Sequence, residues 1–463
     1  MVKDTLDLKI LNGTIVTPTE SYVGDVGVKD GKITIIGESL SDVVSTDTVD
    51  ASGKLILPAA IDCHTHFEMP FGGTVSRDGY ESGSRAALSG GCSCYIDFVI
   101  QGKGESLRAA LKRRQDLAAT KSCCDYAFHI AITDLNESIL AEMEEIVQEE
   151  GVNSFKVFMV YDFAVDDGVL CQVLQRAAQV GGRVSIHCEN KPLIDYNVKK
   201  FLSENKTSPY YHYLSRDEDV ESEAVKRVVH FAKAFKAPIY IVHLACKDGL
   251  KEVERAHAEG YQDIVIAETC PQYLAFTSDV YKRDDGQNFV LSPPIKGQES
   301  QDALWDGIQR GIIRTVATDH CSFLSEEKLW GKNDFSKIPN GAGGIELLYP
   351  YMLSEANKGR ITFNKAVELC SANVAQLFGI KNKGSIRVGA DADIVIYDPS
   401  QDFVVTKDKL HDDNDHIIYE GMELKGCVSM TFCRGVLAFK DGEFMGKSGF
   451  GRFVKRVPLS SSK

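Results

Sequence analysis

The sequence predicts an α/β protein: a (β/α)8 TIM-like barrel with a small β-sandwich domain formed by the N- and C-terminal segments. Two observations carry this prediction. Between Leu55 and Gly384, eight apolar runs alternate with segments of helical periodicity, the pattern of a parallel sheet with crossover helices. Outside this region the apolar runs are β-rich and have no helical partners. We therefore expect residues 1–54 and 385–463 to form the sandwich and residues 55–384 the barrel. A doubly wound sheet is the alternative.

The predicted elements follow in chain order. The N-terminal runs are LKILNGTIVT and DVGVKDGKITIIGE, with a hairpin turn at Lys29–Lys32. The eight barrel runs are LILPAAIDCHTHF, CSCYIDFVI, DYAFHIAI, SFKVFMVY, RVSIHCEN, APIYIVHLA, IVIAETCPQY and RTVATDHC. Between them, segments such as SILAEMEEIVQEE and DGLKEVERAHAEG place apolar residues at helical spacing and charges on the outer face. The C-terminal part returns to strands in IVIYDP and VSMTFCRGVLAFKDGEF.

Charge and hydropathy exclude several classes of partner. The net charge of -14 disfavours nucleic acid and anionic membranes, because the field of the protein repels polyanions. The basic tail from Lys447 to Lys463 is too short to reverse this. No apolar segment reaches the roughly 18 residues of a membrane span, and the first residues, Met1–Asp4, do not open an apolar signal sequence. We expect a cytoplasmic protein.

The cysteines indicate reduced thiols. There are 13, an odd number, and no C-x-x-C pair occurs among them. Cys63 and Cys188 each adjoin a histidine at a strand end. Because successive residues of a strand face opposite sides, we expect both thiols to point toward packing helices while His64 and His187 point into a site.

Polar side chains mark the ends of the barrel runs, where barrel enzymes place their active sites. His64 and His66 end the first run and, two residues apart, share one face of the strand. The others are Lys156 and Tyr161 in the fourth run, His187 at the end of the fifth, His243 at the end of the sixth and Asp319 at the end of the eighth. Neutral imidazole and carboxylate are good zinc ligands, so this set can hold two divalent cations.

Lys156 is the candidate for the group between the cations. Two adjacent cations need a bridging anion, and we expect no other run to offer a spare Asp or Glu at the right place. Lys156 lies in an otherwise apolar strand, where an inward ammonium is costly. Carbamylation by carbon dioxide resolves this, because the anionic carbamate gives one oxygen to each metal. The alternative is that Lys156 reaches the barrel mouth or pairs with an acid.

The predicted chemistry is amide hydrolysis. A water shared by two zinc ions has a lowered pKa and becomes hydroxide near neutrality, which suits attack on an amide carbonyl. Asp319 then orients the hydroxide, takes its proton and passes that proton to the departing nitrogen. Tyr161, five residues past Lys156, is expected to stabilise the oxyanion. The alternative for Tyr161 is a mouth tyrosine satisfied by solvent.

The motifs resemble those of the dihydropyrimidinase and hydantoinase family of cyclic amidohydrolases from end to end. The segments concerned are HTHFEMPFGGTVSRDGYESGSRAALSGG, SFKVFMVY, IHCEN, IVHL, ETCPQYL, LSPPIK, ATDHCSF, IPNGAGGIE, GADADIVIYDP and GKSGFGRFVKR. The resemblance implies a binuclear zinc centre. In it, His64, His66 and Asp319 bind one metal, His187 and His243 bind the other, and carboxylated Lys156 lies between them.

The resemblance also implies a substrate site and an assembly. Ser292 and Asn340 are expected to bind the cyclic amide beside Tyr161, largely through backbone atoms. A homodimer or homotetramer is expected, with Gly446–Arg456 as the candidate contact. The sequence departs from the family pattern at Cys92–Cys94, where threonines are common, and at Gly79, where an acid is frequent. These departures leave the exact substrate open.

The rival functions are two. Dihydroorotases and allantoinases typically have the motif His-x-His-x-Arg, in which the arginine binds a carboxylate or ureido group of the substrate. In this chain the arginine position is Glu68. Glu68 therefore favours a small neutral ring, a hydantoin or 5,6-dihydropyrimidine opened to an N-carbamoyl amino acid. Four aromatic residues suit a ring substituent: Phe67, Phe71, Phe158 and Phe163. The rival from another class is a non-catalytic oligomeric scaffold that has lost its metals, but this chain keeps all six ligands.

Two further histidines are expected to be structural. His129 lies within the third run and is interpreted as a core histidine with satisfied hydrogen bonds. His320 follows Asp319 and should face away from the metals, supporting the strand.

Overall fold

The computed structural model describes residues 5–459. Met1–Asp4, on which part of the signal-sequence prediction rests, and the last four residues of the basic tail lie outside this range. The N-terminal strands are β1 Leu6–Val16, β2 Ser21–Lys29, β3 Lys32–Gly37, β4 Ser45–Asp50 and β5 Leu55–Pro58. The predicted hairpin turn joins β2 to β3. Asp30 and Gly31 have φ angles of 51° and 73°, the left-handed conformation that a two-residue hairpin turn requires.

The predicted barrel is confirmed. Its strands, with one short hairpin after the first, are β6 Ala60–Thr65, the hairpin β7 Pro70–Phe71 and β8 Thr74–Val75, then β9 Cys92–Ile100, β10 Asp125–Ala131, β11 Ser154–Phe158, β12 Arg183–His187, β13 Ile239–Ile241, β14 Val265–Thr269 and β15 Ile313–Val316. The eight barrel strands form one sheet of parallel neighbours. A parallel bridge between Thr65 and His320 brings the first and last strands together, so the doubly wound alternative is excluded.

Helices follow the barrel strands. They are α1 Tyr80–Ser89, α2 Leu107–Lys121, α3 Glu137–Glu145, α4 Asp167–Val180, α5 Lys191–Ser203, α6 Pro209–Ser215, α7 Glu218–Phe235, α8 Lys247–Ala258, α9 Pro271–Ala275, α10 Gln298–Gln309, α11 Ser325–Lys328, α12 Leu348–Asn357, α13 Phe363–Val367 and α14 Asn373–Leu377. In α7, Asp217 caps the N-terminus and Val225, Val228 and Val229 are buried, so one apolar face packs on the barrel. Within residues 5–459, no helix has the length and apolarity needed to cross a membrane.

The two chain ends share one sheet. The C-terminal strands are β16 Ile394–Asp398, β17 Phe403–Val404, β18 Glu423–Leu424, β19 Cys427–Cys433, β20 Val436–Lys440 and β21 Glu443–Phe444. Four of them, β16 and β19–β21, join β1–β5 in a nine-stranded sheet, while β17 and β18 pair separately. This terminal sheet has its own apolar core, in which Ile10, Val26 and Ile56 from the N-terminal strands meet Ile394 and Phe432.

The first barrel run differs from the prediction, because it contains two strands. β5 pairs with β1 and β16 in the terminal sheet, and the barrel begins only at Ala60. Ala59 N donates to Asp393 O and Ala60 N to Gly91 O, so the chain passes from one sheet to the other within two residues. The sequence does not show where the chain leaves the terminal sheet, because β5 and β6 are both buried and form one unbroken apolar run. We therefore propose a boundary at Ala59 rather than before Leu55.

The prediction that Cys63 points outward is wrong. Cys63 packs inside the barrel with Ile61 and Ile266, and its Sγ lies 3.2 Å from Tyr240 Oη. The pairing of β6 with β9 shifts register between Asp62 and Thr65, and strand alternation fails at such a shift. Cys188 belongs to the larger core cluster between strands and helices. All 13 cysteines are free thiols.

The segment predicted as an oligomer contact packs largely on its own barrel. Tyr126 N donates to Arg452 O, Val454 N donates to Tyr126 O, and Gly451 N donates to Ser122 O. The guanidinium of Arg456 is buried and donates to Phe128 O and Ser154 Oγ. The part from Gly451 to Arg456 is therefore occupied by intramolecular contacts.

A buried lysine joins the barrel to the terminal sheet. Lys383 Nζ lies 2.7 Å from Asp125 Oδ2 at the start of β10, and 2.6 and 3.2 Å from Asp393 Oδ2 and Asp391 Oδ2 just before β16. Arg434 Nε lies 3.2 Å from Asp125 Oδ2, and Arg434 N donates to Asp393 Oδ1 at 2.7 Å. Lys32 Nζ lies 2.5 Å from Asp391 Oδ1. Among the described residues, Lys383 is the cation that contacts all three carboxylates from the two sheets.

Replacing Lys383 with methionine is expected to lower the free energy of unfolding by about 3–5 kcal/mol, because buried carboxylates lose their cation. Chemical denaturation at pH 7 measures this. The matched control is Lys251→Met, which breaks an exposed ion pair with Asp248 and should cost less than about 1 kcal/mol. A loss in Lys383→Met no greater than in this control would contradict the role.

Candidate metal centre

Every residue predicted for the site lines one cavity of about 440 Å³ at the carboxyl ends of the barrel strands. These residues are His64, His66, Lys156, Tyr161, His187, His243, Ser292, Asp319 and Asn340. Of the four aromatic residues expected near a substituent, Phe71, Phe158 and Phe163 line the cavity. Phe67 does not: it is buried against Tyr80 and Tyr95 behind the strands.

Three of these residues have unusual backbone conformations. Tyr161, His243 and Asp319 follow the ends of their strands with φ angles of 74°, 42° and 53°. The left-handed region costs a non-glycine residue about 1–3 kcal/mol, so such residues persist only where the surrounding structure holds them, typically at functional sites. Nothing in the apolar pattern of the strands signals this.

The first group of candidate ligands is His64, His66 and Asp319. Asp319 Oδ1 lies 3.1 Å from His64 Nε2 and 3.0 Å from His66 Nε2. One ligand atom from each residue lies within 4.8 Å of the others. Two imidazole nitrogens and a carboxylate oxygen that converge in this way are a donor set suited to zinc.

The second group is His187 and His243. His187 Nδ1 and His243 Nε2 face each other at 3.0 Å. The two groups adjoin, since the ring centroids of His64 and His243 are 5.3 Å apart. Two neighbouring cations require this arrangement of ligands.

Lys156 is buried beside both groups. Its Nζ has no hydrogen-bond partner within residues 5–459 and lies 4.9 and 5.0 Å from the ring centroids of Phe98 and Phe158. Burial lowers the pKa of Lys156 to about 8. The side chain does not reach solvent and forms no ion pair with a described acid, so neither alternative considered for it is observed.

Glu268 is a residue of the site that the sequence reasoning missed. Its Oε1 lies 2.7 Å from His64 Nδ1 and accepts a hydrogen bond from His243 N at 2.9 Å, and its Oε2 accepts one from Tyr240 Oη. A carboxylate at the far nitrogen of a histidine fixes the proton there and leaves the facing nitrogen free for a metal. Glu268 is thus engaged with His64, His243 and Tyr240 and is not a spare acid between the two groups of ligands. The signal was a lone acid in the apolar run IVIAETC.

Glu189 has the same relation to the second group. Its Oε2 lies 2.7 Å from His187 Nε2 and 2.6 Å from Arg216 Nη1. Burial opposes the charge, but Arg216 and His187 hold the pKa of Glu189 at about 2. The carboxylate is thus ionised and orients the ring so that Nδ1 faces His243. The two-residue spacing from His187 could have revealed it.

The ionisation of the site favours metal binding. Burial lowers the pKa of His64, His187 and His243, so these rings are neutral at pH 7, the form that binds metals. Burial alone would raise the pKa of Asp319, but the rings of His64 and His66 hold that pKa below its usual value.

The predicted substrate residues line the same cavity. Asn340 Nδ2 donates to Ser292 Oγ at 2.9 Å. The ring of Tyr161 packs edge-on against Phe71, with centroids 4.9 Å apart. Burial raises the pKa of Tyr161, so the phenol keeps its proton and can donate a hydrogen bond.

Glu68 does not play the role expected of it. Its carboxylate forms an ion pair with Lys121 at 2.8 Å and does not line the cavity, so the prediction that it repels an anionic substrate is wrong. Among the described residues that line the cavity, Lys156 is the only lysine or arginine. The departure at Gly79 is also explained, because a Cβ there would lie 2.7 Å from Glu68 Oε1.

The two histidines interpreted as structural are confirmed as such. His129 Nδ1 lies 2.6 Å from Ser154 Oγ, and its Nε2 lies 3.0 Å from Cys63 O. His320 Nε2 lies 3.0 Å from Asp78 Oδ2, and its Nδ1 accepts a hydrogen bond from Gly344 N. Both rings use both nitrogens in contacts with other residues.

Comparison with known proteins gives a consistent result. The model of the amidohydrolase family matches residues 55–438. A D-hydantoinase of Geobacillus stearothermophilus is 40% identical over 97% of this chain and 96% of its own length. A D-hydantoinase of Rhizobium radiobacter is 40% identical over 97% of this chain and 99% of its own. The crystal structure of dihydropyrimidinase from Brevibacillus agri superimposes with a TM-score of 0.95 at 38% identity, covering 98% of this chain and 99% of that one. The chain belongs to the amidohydrolase family, in its group of D-hydantoinases and dihydropyrimidinases.

Proposed function

We propose that this protein hydrolyses the ring amide of a hydantoin or a 5,6-dihydropyrimidine and releases an N-carbamoyl amino acid. The observation that carries the proposal is the cluster of His64, His66 and Asp319 beside the facing pair His187 and His243. The names of relatives about 40% identical, D-hydantoinase among them, support the substrate class.

The proposed cofactor is a pair of zinc ions. His64, His66 and Asp319 would hold one, and His187 and His243 the other, with carboxylated Lys156 as the bridge. Within residues 5–459, His64 Nε2 forms no hydrogen bond although Asp319 Oδ1 is 3.1 Å away, and Lys156 Nζ has no partner. Both observations fit this proposal, since buried polar groups normally have a partner. The low pKa of Lys156 favours the neutral amine that adds to carbon dioxide. When bound, such cations lower the pKa of water and polarise a carbonyl.

The side chains of this chain supply the remaining chemistry. Asp319 accepts the proton of the attacking water and returns it to the ring nitrogen as the C–N bond breaks. Tyr161 donates a hydrogen bond to the oxygen that becomes negative during attack. Ser292 and Asn340 hold the ring amide in the same cavity. The product carries a free carboxylate and a carbamoyl nitrogen.

Tyr161→Phe is expected to lower kcat about 10²–10³-fold with the metal content unchanged, because one hydrogen bond to the oxyanion is lost. Steady-state rates and elemental analysis on the same sample measure both quantities. The ring contacts with Phe71 and His187 remain in the variant, so packing is conserved. Unchanged turnover would remove the assignment.

The experiment that tests the function is ring opening of four substrates, followed by amide absorbance, with metal content measured in parallel. The substrates are dihydrouracil, 5-phenylhydantoin, allantoin and dihydroorotate. Opening of dihydrouracil or the hydantoin with about two metals per chain is expected. Activity on allantoin or dihydroorotate alone would contradict the proposal in favour of those rivals. An inert protein without metal would favour the scaffold.

We also propose a cytoplasmic homodimer or homotetramer. The free thiols are those expected in a reducing compartment and support the location. The oligomer rests on the family resemblance, and size-exclusion chromatography with light scattering tests it.

A further inference from the structure

Lys328 is a buried lysine whose ammonium contacts only carbonyl oxygens and an aromatic ring. It ends the short helix α11, and its side chain has no exposure to solvent. Nζ donates to Val290 O at 2.9 Å, Pro339 O at 2.7 Å and Gly341 O at 2.5 Å. An ammonium has three donors, and all three are used here.

The three carbonyls lie next to the predicted substrate residues. Pro339 and Gly341 are the two neighbours of Asn340, and Val290 is two residues before Ser292. Gly341 N also donates to Val290 O at 3.0 Å, so both segments meet at the ammonium. The segments are distant in sequence, and the ammonium of Lys328 holds them together.

Burial lowers the pKa of Lys328 to about 7, the three carbonyl oxygens favour its charged form, and no described acid balances that charge. Within residues 5–459 Lys328 forms no ion pair, in contrast to Lys383 with its three carboxylates. The adjacent Glu327 is turned away: its Oε2 accepts from Leu324 N at 2.7 Å, and its Oε1 accepts from Thr74 Oγ1. A cation buried without an acid is a costly way to stabilise a fold, so its contacts with these particular carbonyls need a further reason.

We propose that Lys328 is a positioning residue that holds the peptide groups around Asn340 and Ser292 in the orientation that binds the cyclic amide. The proposal rests on the function proposed above and on the assignment of these two residues to the substrate. Without the ammonium, the three carbonyls turn toward other donors and the peptide groups at Asn340 lose their fixed direction. Contacts that hold substrate and transition state equally affect KM and leave kcat unchanged.

The test uses Lys328→Met and Lys328→Gln in the metal-loaded protein. In Lys328→Met, KM for the hydantoin or dihydropyrimidine that the wild type opens should rise roughly tenfold or more, with kcat within about threefold of wild type. Metal content should not change. Lys328→Gln keeps two donors, so its KM should lie between those of the wild type and Lys328→Met. If Lys328→Met does not fold, Lys328→Gln is the variant that tests the proposal. Hydrogen–deuterium exchange of residues 288–293 and 339–344 should become faster in both variants.

Lys383→Met is the matched control. It also removes a buried ammonium, but at the opposite end of β10 from the cavity, so KM should remain at the wild-type value. Any faster exchange in this control should follow its lower global stability across the chain and should not be concentrated in residues 288–293 and 339–344. An unchanged KM in Lys328→Met, or an equal rise in Lys383→Met, would overturn the proposal. So would a fall in kcat without a rise in KM, or unchanged exchange in both segments. A wild type that opens none of the cyclic amides contradicts the function, and the exchange rates still decide whether Lys328 holds the segments.

Discussion

Lys156→Ala is expected to remove the metal pair and to lower kcat/KM on the order of 10³-fold or more, because the cations supply several kcal/mol of transition-state stabilisation. The structure gives the reason. The amine is buried beside both sets of ligands, and within residues 5–459 it has no hydrogen-bond partner. Elemental analysis of the purified variant and initial rates of ring opening measure the two losses together.

Small carboxylic acids should partly restore both quantities in Lys156→Ala. Acetate or propionate fits the space that the lysine leaves and replaces the anionic bridge. Lys156→Met is the matched control, because its apolar side chain fills the space between Phe98 and Phe158 and blocks this rescue. Both variants should unfold at or above the wild-type metal-free midpoint, since a buried ammonium without partner is removed. Full metal occupancy in Lys156→Ala would rule out the bridge.

The sequence could predict which residues line the cavity because barrel topology leaves little freedom. Once eight runs form a parallel barrel, the residues at their carboxyl ends must meet at one mouth. His187, the last residue of β12, needs nothing else to reach the cavity. His64 reached it for a different reason from the one expected. The register shift in β6 turns both Cys63 and His64 inward, and simple alternation cannot show this.

What the sequence did not reveal depends on contacts between distant segments. Glu268 is 204 residues from His64, and its role follows only when β14 and β6 are in place. Glu68 was assigned to the cavity from its spacing to His66, but its backbone φ of 47° and the ion pair with Lys121 turn the carboxylate away. Likewise, β5 and β6 read as one run because both sheets bury apolar strands. In each case the local sequence pattern described the strand or spacing correctly but could not show which distant residues the segment contacts.

Asp319→Asn is expected to lower kcat about 10²–10⁴-fold, because asparagine cannot accept a proton from water or return it to the ring nitrogen. The substitution can separate proton transfer from metal binding. Asparagine has the same shape, and it tolerates the left-handed backbone at φ 53° as well as aspartate does. The amide oxygen can still face His64 and His66, so a loss of turnover that exceeds the loss of metal reports on proton transfer.

The control for Asp319→Asn is Asp306→Asn on the exposed face of α10, where the side chain pairs only with Arg310 at the surface. This variant should keep wild-type kcat and metal content. If Asp319→Asn retains its metals and wild-type turnover, another group carries the proton. Glu268 and Glu189 cannot replace it directly, because each is already bonded to the far nitrogen of a histidine. Among the described residues that line the cavity, Asp319 is the only carboxylate, with Oδ1 3.0 Å from His66 Nε2, so the proposed proton transfer is assigned to it.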